Sequence, residues 1–292
     1  MPLVICRYPG GKNKSKSQIL DRVSSYFDNN RYDIEYREPF FGAGSVGLSL
    51  LESRSQIKNI WINDYDPAIA ALWNAILFNP KDLSDMVDDF KPDVDKFFAY
   101  KEELLKMGRE VNDVVSIGFK KLAIHQISYS GLGAMSGGPL GGKHQTSSYD
   151  ISCRWSPSHI RKMIRDIHSL LSSKNLRYGK CTSFDFMDLM KQDGECFLYL
   201  DPPYYEKGPE LYQYSFTLSD HYRLAKSLKE TSYPWLLSYD DCEEIRKIYK
   251  WAEIKAIRFK YTIHKSRIKM ELIIVPSEKL FERTNEMPDL FA

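Results

Sequence analysis

The sequence predicts an α/β protein whose mostly parallel sheet is interrupted by a mainly helical insertion. Three observations carry that prediction. Apolar runs repeatedly end in a glycine- or acid-rich turn and pass into a helical pattern, at 37–53, 57–78 and 233–250. A further apolar run, at 194–205, stops at two prolines. Residues 79–175 break the rhythm with helical stretches and a long Gly/Ser-rich loop. Strands alternating with helices build a parallel sheet.

The elements follow in order. "REPFFGAGSVGLSLLES" (37–53) is a strand end, a glycine turn and a helix. "IKNIWINDYDPAIAALWNAILF" (57–78) is an apolar strand, an acidic turn and a helix, with Pro67 in the first turn, where a missing N–H costs little. Helices are expected at 94–107, 110–127 and 157–172, around the loop "SYSGLGAMSGGPLGGKHQTSSYD" (128–150). A loop that long in a compact protein is usually functional or disordered. "GECFLYLDPPYY" (194–205) is a buried strand that ends in a loop, and "YPWLLSYDDCEEIRKIYK" (233–250) is a strand and a helix. Residues 251–276 alternate like a terminal antiparallel pair.

Composition narrows the class. At 292 residues and 43% hydrophobic, the chain builds a real core as one large domain or one domain with an insertion. Its formal charge of +2, from 41 Lys+Arg against 39 Asp+Glu, neither demands nor excludes nucleic acid, because basic residues can gather on one face. Cys6, Cys153, Cys181, Cys196 and Cys242 are odd in number and form no Cys-x-x-Cys, which argues for a reducing compartment and against a disulfide framework or a zinc site. No stretch approaches a membrane span, and the first residues carry no cleavage signal. A soluble, cytoplasmic protein without a metal is expected.

Two motifs carry chemistry. In "PFFGAGSVG" the glycines 42, 44 and 47 open a helix, so a ligand can approach the backbone and the helix N-terminus favours an anion. An ordinary tight turn is the plainer reading of such glycines. Asp64, twenty positions past Gly44, is placed to accept hydrogen bonds from ribose hydroxyls. Together they indicate a nucleoside cofactor, either a dinucleotide or S-adenosylmethionine. The dinucleotide reading is the weaker, because the acid sits in "NDYD" and not behind a clean strand end. The second motif is "DPPY" (201–204). Prolines cannot continue a ladder and fix the backbone past the strand. Asp201 and the Pro202 carbonyl then offer two acceptors side by side, which suit an NH₂ group, and Tyr204 offers a flat face to an aromatic ring. A turn capped by Asp201 is the plainer reading.

"RYPGGK" (7–12), "EPFFGAGSVG" (38–47), "INDYDPAIAALWNAI" (62–76), "DPPY" (201–204) and "LLSYDD" (236–241), in that order, resemble the Dam-type DNA adenine-N6 methyltransferases of the alpha group. The resemblance covers nearly the whole chain. It implies a Rossmann-like S-adenosylmethionine-dependent methyltransferase sheet, formed by 1–78 and 176–292, with a target-recognition domain inserted at 79–175. It implies S-adenosylmethionine as methyl donor, S-adenosylhomocysteine as product, and no metal. Tyr8 and Lys12 match the motif that closes over the methionine moiety, though a solvated lysine is the plainer reading of Lys12. Glu38, Phe40, Gly42 and Gly44 match the cofactor loop, and Asp64 the ribose acid. Asp185 and Phe186, in "SFDF", match the motif that holds the cofactor adenine. Asp201, Pro202, Pro203 and Tyr204 match the catalytic tetrapeptide, with Asp201 also bordering the cofactor. The adenine would be flipped out of double-stranded DNA onto Tyr204, under a flap at 204–216.

For DNA contact the sequence offers Lys143, His144, Arg154, Arg161 and Lys162; a solvated helix face accounts equally well for the last two. The glycines of 128–150 depart from the pattern of GATC-reading members, so the resemblance implies no particular target. A separate cognate restriction endonuclease is left open. Two alternatives stand beside this reading: an amino-methyltransferase acting on cytosine N4 or on RNA, and an inactive cofactor-binding regulator that binds DNA. An N4-cytosine enzyme more typically has Ser, and a protein-glutamine enzyme Asn, where Asp201 stands.

Overall fold

The structure is a computed structural model that describes residues 3–6, 16–29, 33–129, 131–174, 176–191, 194–263 and 265–277. Tyr8 and Lys12 lie outside the described residues.

The chain runs α1 (Lys16–Asn29), β1 (Ile34–Glu38), α2 (Ser45–Ser53), β2 (Ile57–Asn63), α3 (Pro67–Phe78), α4 (Pro80–Asp89), α5 (Val94–Lys106), α6 (Val114–Ile127), α7 (Pro157–Leu171), β3 (Tyr178–Thr182), α8 (Phe186–Met190), β4 (Cys196–Leu200), α9 (Gly208–Leu211), α10 (Leu218–Glu230), β5 (Trp235–Asp240), α11 (Glu243–Ile248), β6 (Glu253–Ile263) and β7 (Lys265–Val275). The helix starts have local causes. Asp66 caps α3 by accepting from the N–H groups of Ala68 and Ile69, with Pro67 next in line. Thr217 and Asp220 form a reciprocal capping box on α10.

The sheet order is β3-β2-β1-β4-β5-β7-β6. The first five pair in parallel, and β7 pairs antiparallel with both β5 and β6. The order reverses direction between β1 and β4. In open α/β sheets that reversal leaves a crevice at the carboxyl ends of the two strands, where ligands bind. Glu38 ends β1 and Asp201 follows β4, so both stand at its mouth.

Both faces of the sheet are covered. Tyr36, Phe197, Tyr199, Leu236 and Ile273 point into a large core with α1, α2, α3, α6 and α7. Leu198, Leu200, Leu237, Tyr239 and Leu272 point the other way, against α8, α10 and α11. Strand β3 was not evident from sequence. "YGKCT" has no apolar run, yet it pairs with β2 along its length as an edge strand.

Segment 79–175 is helical, and its helices pack on one another around Phe90, Tyr100, Phe119 and Trp155 as well as on the sheet's helical layer. Helix α6 packs against α3, and α7 against α2 and α3. Leu83, Phe97, Leu122, Ile164 and Leu171 join the same buried cluster as β1 and β2. The apolar stripe of α7 and the largely buried α6 find cover in the sheet's helical layer and in the neighbouring helices.

Candidate active site

A cavity of about 350 Å³ opens at the reversal point of the sheet. Its walls are the turn after β1 (Pro39–Val46), the turn after β2 (Asp64–Asp66), Asp185 and Phe186, Tyr199, Asp201 and Pro203, the segment Tyr212–Phe216, and Asp220 and Arg223 of α10.

The β1 turn is shaped by its glycines. Gly42 and Gly44 have φ of 48° and 69°, and a side chain on Gly44 would meet the Phe41 ring at 2.5 Å. A side chain on Gly42 would meet nothing within 4 Å, so that backbone is open to an approaching group. The Gly42 carbonyl accepts from the Trp73 indole at 2.9 Å, and its N–H donates to Asp64 at 2.9 Å. Asp64 stands directly behind β2, a clean strand end, which removes the objection that its place in "NDYD" raised against a dinucleotide. Its second oxygen accepts from the Asp66 N–H at 2.9 Å. Burial pushes the Asp64 carboxyl up to about 7, and the Asp66 charge adds to this; the two N–H groups and Lys121 oppose it. Glu38 is 3% exposed and accepts from the Tyr36 hydroxyl at 2.7 Å. Burial holds its carboxyl well above the usual range, and the neighbouring Asp201 charge adds to that.

Asn63 was missed by sequence reasoning and ties these turns together. Fully buried, it donates to the carbonyls of Pro39 and Phe184 at 3.0 and 3.1 Å. It accepts from Thr182 Oγ1 and the Phe184 N–H at 2.7 and 2.8 Å. All four hydrogen-bonding capacities of its amide are used.

Asp185 caps α8 through the Met187 N–H and forms a two-pronged pair with Arg223, at 3.1 and 3.0 Å. Arg223 is a second residue that the sequence did not disclose. Its guanidinium stands 5.2 Å from the Phe186 ring centre, and the Phe186, Phe40 and Phe216 rings gather 5.5–5.8 Å apart at the cavity wall. Asp201 accepts from Ser238 Oγ at 3.1 Å.

The residues present fit S-adenosylmethionine. Glu38, Asp64, Asp66, Asp185, Asp201 and Asp220 line the cavity, against Arg223 as the cation among the described lining residues. Part of that charge is met within the protein, since Asp66 pairs with Lys121, Asp185 and Asp220 with Arg223, and burial raises the Glu38 and Asp64 carboxyls; what the cavity offers a nucleoside is a set of hydrogen-bond acceptors. The phenylalanine cluster offers apolar faces for a purine.

Residues 8–263 match the family model of the D12 class N6 adenine-specific DNA methyltransferases. The chain belongs to that family. It is also similar to the Type II methyltransferase M.MjaIII of Methanocaldococcus jannaschii, at 22% identity over 243 residues, 75% of this chain and 77% of that protein. Among solved structures it is similar to the rRNA methyltransferase aviRa of Streptomyces viridochromogenes, with a TM-score of 0.41 and 13% identity over 97% of this chain and 93% of that one. This protein is therefore a DNA adenine-N6 methyltransferase, and S-adenosylmethionine is the donor that its family implies.

In this methyltransferase the expected residues do not all meet. Asp201 and Pro203 line the cavity; Pro202 is buried, and Tyr204 does not line it. The Tyr204 hydroxyl donates to Glu271 of β7, and its ring lies 6.2 Å from Tyr239. The Tyr204 ring thus packs against the second core, with its hydroxyl held by a carboxylate on β7, the strand beyond β5. Tyr212, Tyr214 and Phe216 of the flap face the cavity instead. Gln213 fastens the flap to α5 by donating to the Leu104 carbonyl at 3.0 Å.

Of the residues expected to contact DNA, Lys143 and His144 are exposed. Arg154 donates to the Tyr129 carbonyl at 3.4 Å. Arg161 pairs with Asp88 at 2.9 Å, and Lys162 with Asp166 one turn on. The solvated-face reading of those two has this geometry. The loop itself is built: Gln145 donates to the Leu140 and Gly142 carbonyls and accepts from the Ile151 N–H. Among the described residues no helix is long and apolar enough to cross a membrane.

Proposed function

We propose that this methyltransferase flips its adenine out of duplex DNA into the cavity beside Asp201, and holds the methyl donor between the β1 turn and Asp185. The observation that supports it most is the meeting of the Gly42–Gly44 turn, Asp64 and Asp201 in one cavity at the reversal of the sheet. S-adenosylmethionine supplies an electrophilic methyl there and leaves as S-adenosylhomocysteine. Asp64 accepts from the ribose hydroxyls; Asp185, braced by Arg223, accepts from an adenine amine. Glu38 and Phe40 border the cofactor, and Phe186 packs beside its ring. Tyr8 and Lys12 close over the methionine end.

Asp201 and the Pro202 carbonyl accept the two N–H bonds of the target amine. That draws the nitrogen lone pair out of conjugation and aims it for in-line attack, so catalysis is largely positioning. The nitrogen's pair would form the bond to the methyl carbon as the carbon–sulfur pair returns to sulfur, and the extra proton on the amine is released to solvent. Tyr204 anchors the tetrapeptide through Glu271, and its ring reaches the base only after leaving that partner.

Within 79–175, loop 128–156 carries target recognition, because α6 and α7 are committed to the core. Lys143, His144 and Arg154 supply phosphate contacts, with Arg161 and Lys162 as outer candidates. A specificity chimera should therefore exchange the loop and leave the helices in place.

Sequencing of modified bases in DNA from cells expressing the protein tests this proposal. Wild type should leave N6-methyladenine at one sequence, and Asp201→Ala should leave none. A mark on cytosine N4, or a mark unchanged in Asp201→Ala, would overturn it.

A further inference from the structure

Strand β5 presents a pair of side chains that the assigned roles leave unused. "LLSYDD" (236–241) ends that strand, and Ser238 and Asp240 share one side of it. Ser238 is fully buried. Its Oγ lies 3.1 Å from Asp201 Oδ1, 3.1 Å from the Tyr199 hydroxyl and 3.4 Å from the Leu200 carbonyl. A hydroxyl has one proton to give. The arrangement that uses the charged acceptor has Tyr199 donating to Ser238 and Ser238 donating to Asp201, since hydrogen bonds to a carboxylate are the stronger ones. Two residues on, Asp240 accepts from the Tyr205 N–H and the Glu206 N–H, each at 3.0 Å.

We propose that Ser238 and Asp240 are positioning residues that hold the Asp201–Tyr204 tetrapeptide at both ends, the hydroxyl orienting the Asp201 carboxylate and the Asp240 carboxylate fixing the backbone that leaves Tyr204. The proposal rests on reading Asp201 as the acceptor for the target amine. Its physical need is plain. The two prolines at 202 and 203 have no N–H with which to join the sheet, so the tetrapeptide cannot be held by ladder bonds. Backbone past a strand end is otherwise free to move, and an acceptor pair displaced by an ångström loses much of its catalytic effect. Asp240 supplies fixed acceptors to the second and third N–H groups after the prolines, those of Tyr205 and Glu206. Because β5 is the parallel neighbour of β4, with Leu237 opposite Leu200, Ser238 and Asp240 reach past the end of β4 on that one side.

The test uses the full-length enzyme, saturating radiolabelled S-adenosylmethionine, and a duplex oligonucleotide carrying the sequence found methylated in expressing cells. Ser238→Ala and Asp240→Asn should each slow single-turnover transfer by about ten- to a hundredfold. The dissociation constants for S-adenosylmethionine and for the duplex should stay within about twofold of wild type. Asp240→Glu, which keeps both oxygens, should recover more of the rate than Asp240→Asn. Ser238→Ala should add less than about a twofold loss to Asp201→Asn, because its effect passes through the carboxylate that variant lacks. A merely structural role would give the same loss in both backgrounds and would weaken cofactor binding alongside. Wild-type rates in both β5 variants, with Asp201→Asn slow, would overturn this inference alone. A wild-type rate in Asp201→Asn would instead overturn the reading on which it rests. Should Ser238→Ala not fold, Asp240→Asn at the partly exposed strand end decides by the same measurements.

Discussion

The cavity end of the sheet and the loop 128–156 are both irregular backbone, yet they are held in opposite ways. At the cavity, buried or half-buried side chains hold backbone: Asn63 and Asp240 each satisfy two or more main-chain groups of turns distant in sequence, and Asp64 ties the Gly42 N–H to its own turn. In the loop, most bonds are local, such as Gln145 to residues three to six positions away. Of the residues expected to contact DNA there, Lys143 and His144 are exposed and Arg154 is half-buried. The difference teaches where sensitivity should lie. A buried bond to a charged group is expensive to remove, whereas an exposed cation acts through a screened field.

The largest effect should come from Asp201→Ala, with a loss of transfer rate beyond about a hundredfold and a thermal midpoint close to wild type, since the residue stands past the strand end. A rate within tenfold of wild type in a quenched single-turnover assay would place the chemistry elsewhere.

Next comes Asp64. Donation from ribose hydroxyls favours its ionised form. With the carboxyl at about 7 in the ligand-free protein, cofactor affinity should be level above that pH. It should weaken as pH falls below it, by at most about tenfold per unit for one proton taken up. Asp64→Asn should weaken binding by about 1–3 kcal/mol and flatten the profile. Calorimetry that finds the same slope in both proteins would show that Asp64 is not the group that titrates.

Tyr204→Phe separates anchor from stacking face. Loss of the donor to Glu271, a residue only 6% exposed, should cost about 1–3 kcal/mol of stability in denaturant melts. A stability equal to wild type would show that the ring, and not the hydroxyl, is what matters.

The smallest effects belong to the surface. Lys143→Ala should reduce the slope of log affinity against log salt by about one, without changing the methylated sequence. Arg161→Ala and Lys162→Ala, already paired within the protein, should change it by less. Equal slopes for all three would move the phosphate contacts off this loop.

Much of the site was legible because its parts are contiguous in sequence. Gly42 and Gly44 announce a turn open to a ligand, Asp64 stands at a strand end, and Asp201 to Pro203 can only follow a strand that stops. What was not legible lies across the sheet. Arg223 meets Asp185 over 38 positions, and Tyr204 meets Glu271 over 67. An arginine on a polar helix face and a glutamate on a terminal strand look in sequence like any surface charges. Strand β3 was missed for a related reason: its pairing with β2 makes it a strand, and its composition does not.

By itself, then, the sequence determined the alternation of strands and helices, the helical character of 79–175, and where the turns that line the cavity fall. Those follow from apolar periodicity, glycine and proline, which act within a few residues. Only the tertiary structure decided that α6 and α7 belong to the main core, that Tyr204 turns toward Glu271, and that Ser238 and Asp240 meet the two ends of the tetrapeptide. Strand order and register set those contacts, and both are fixed by burial summed over the whole sheet.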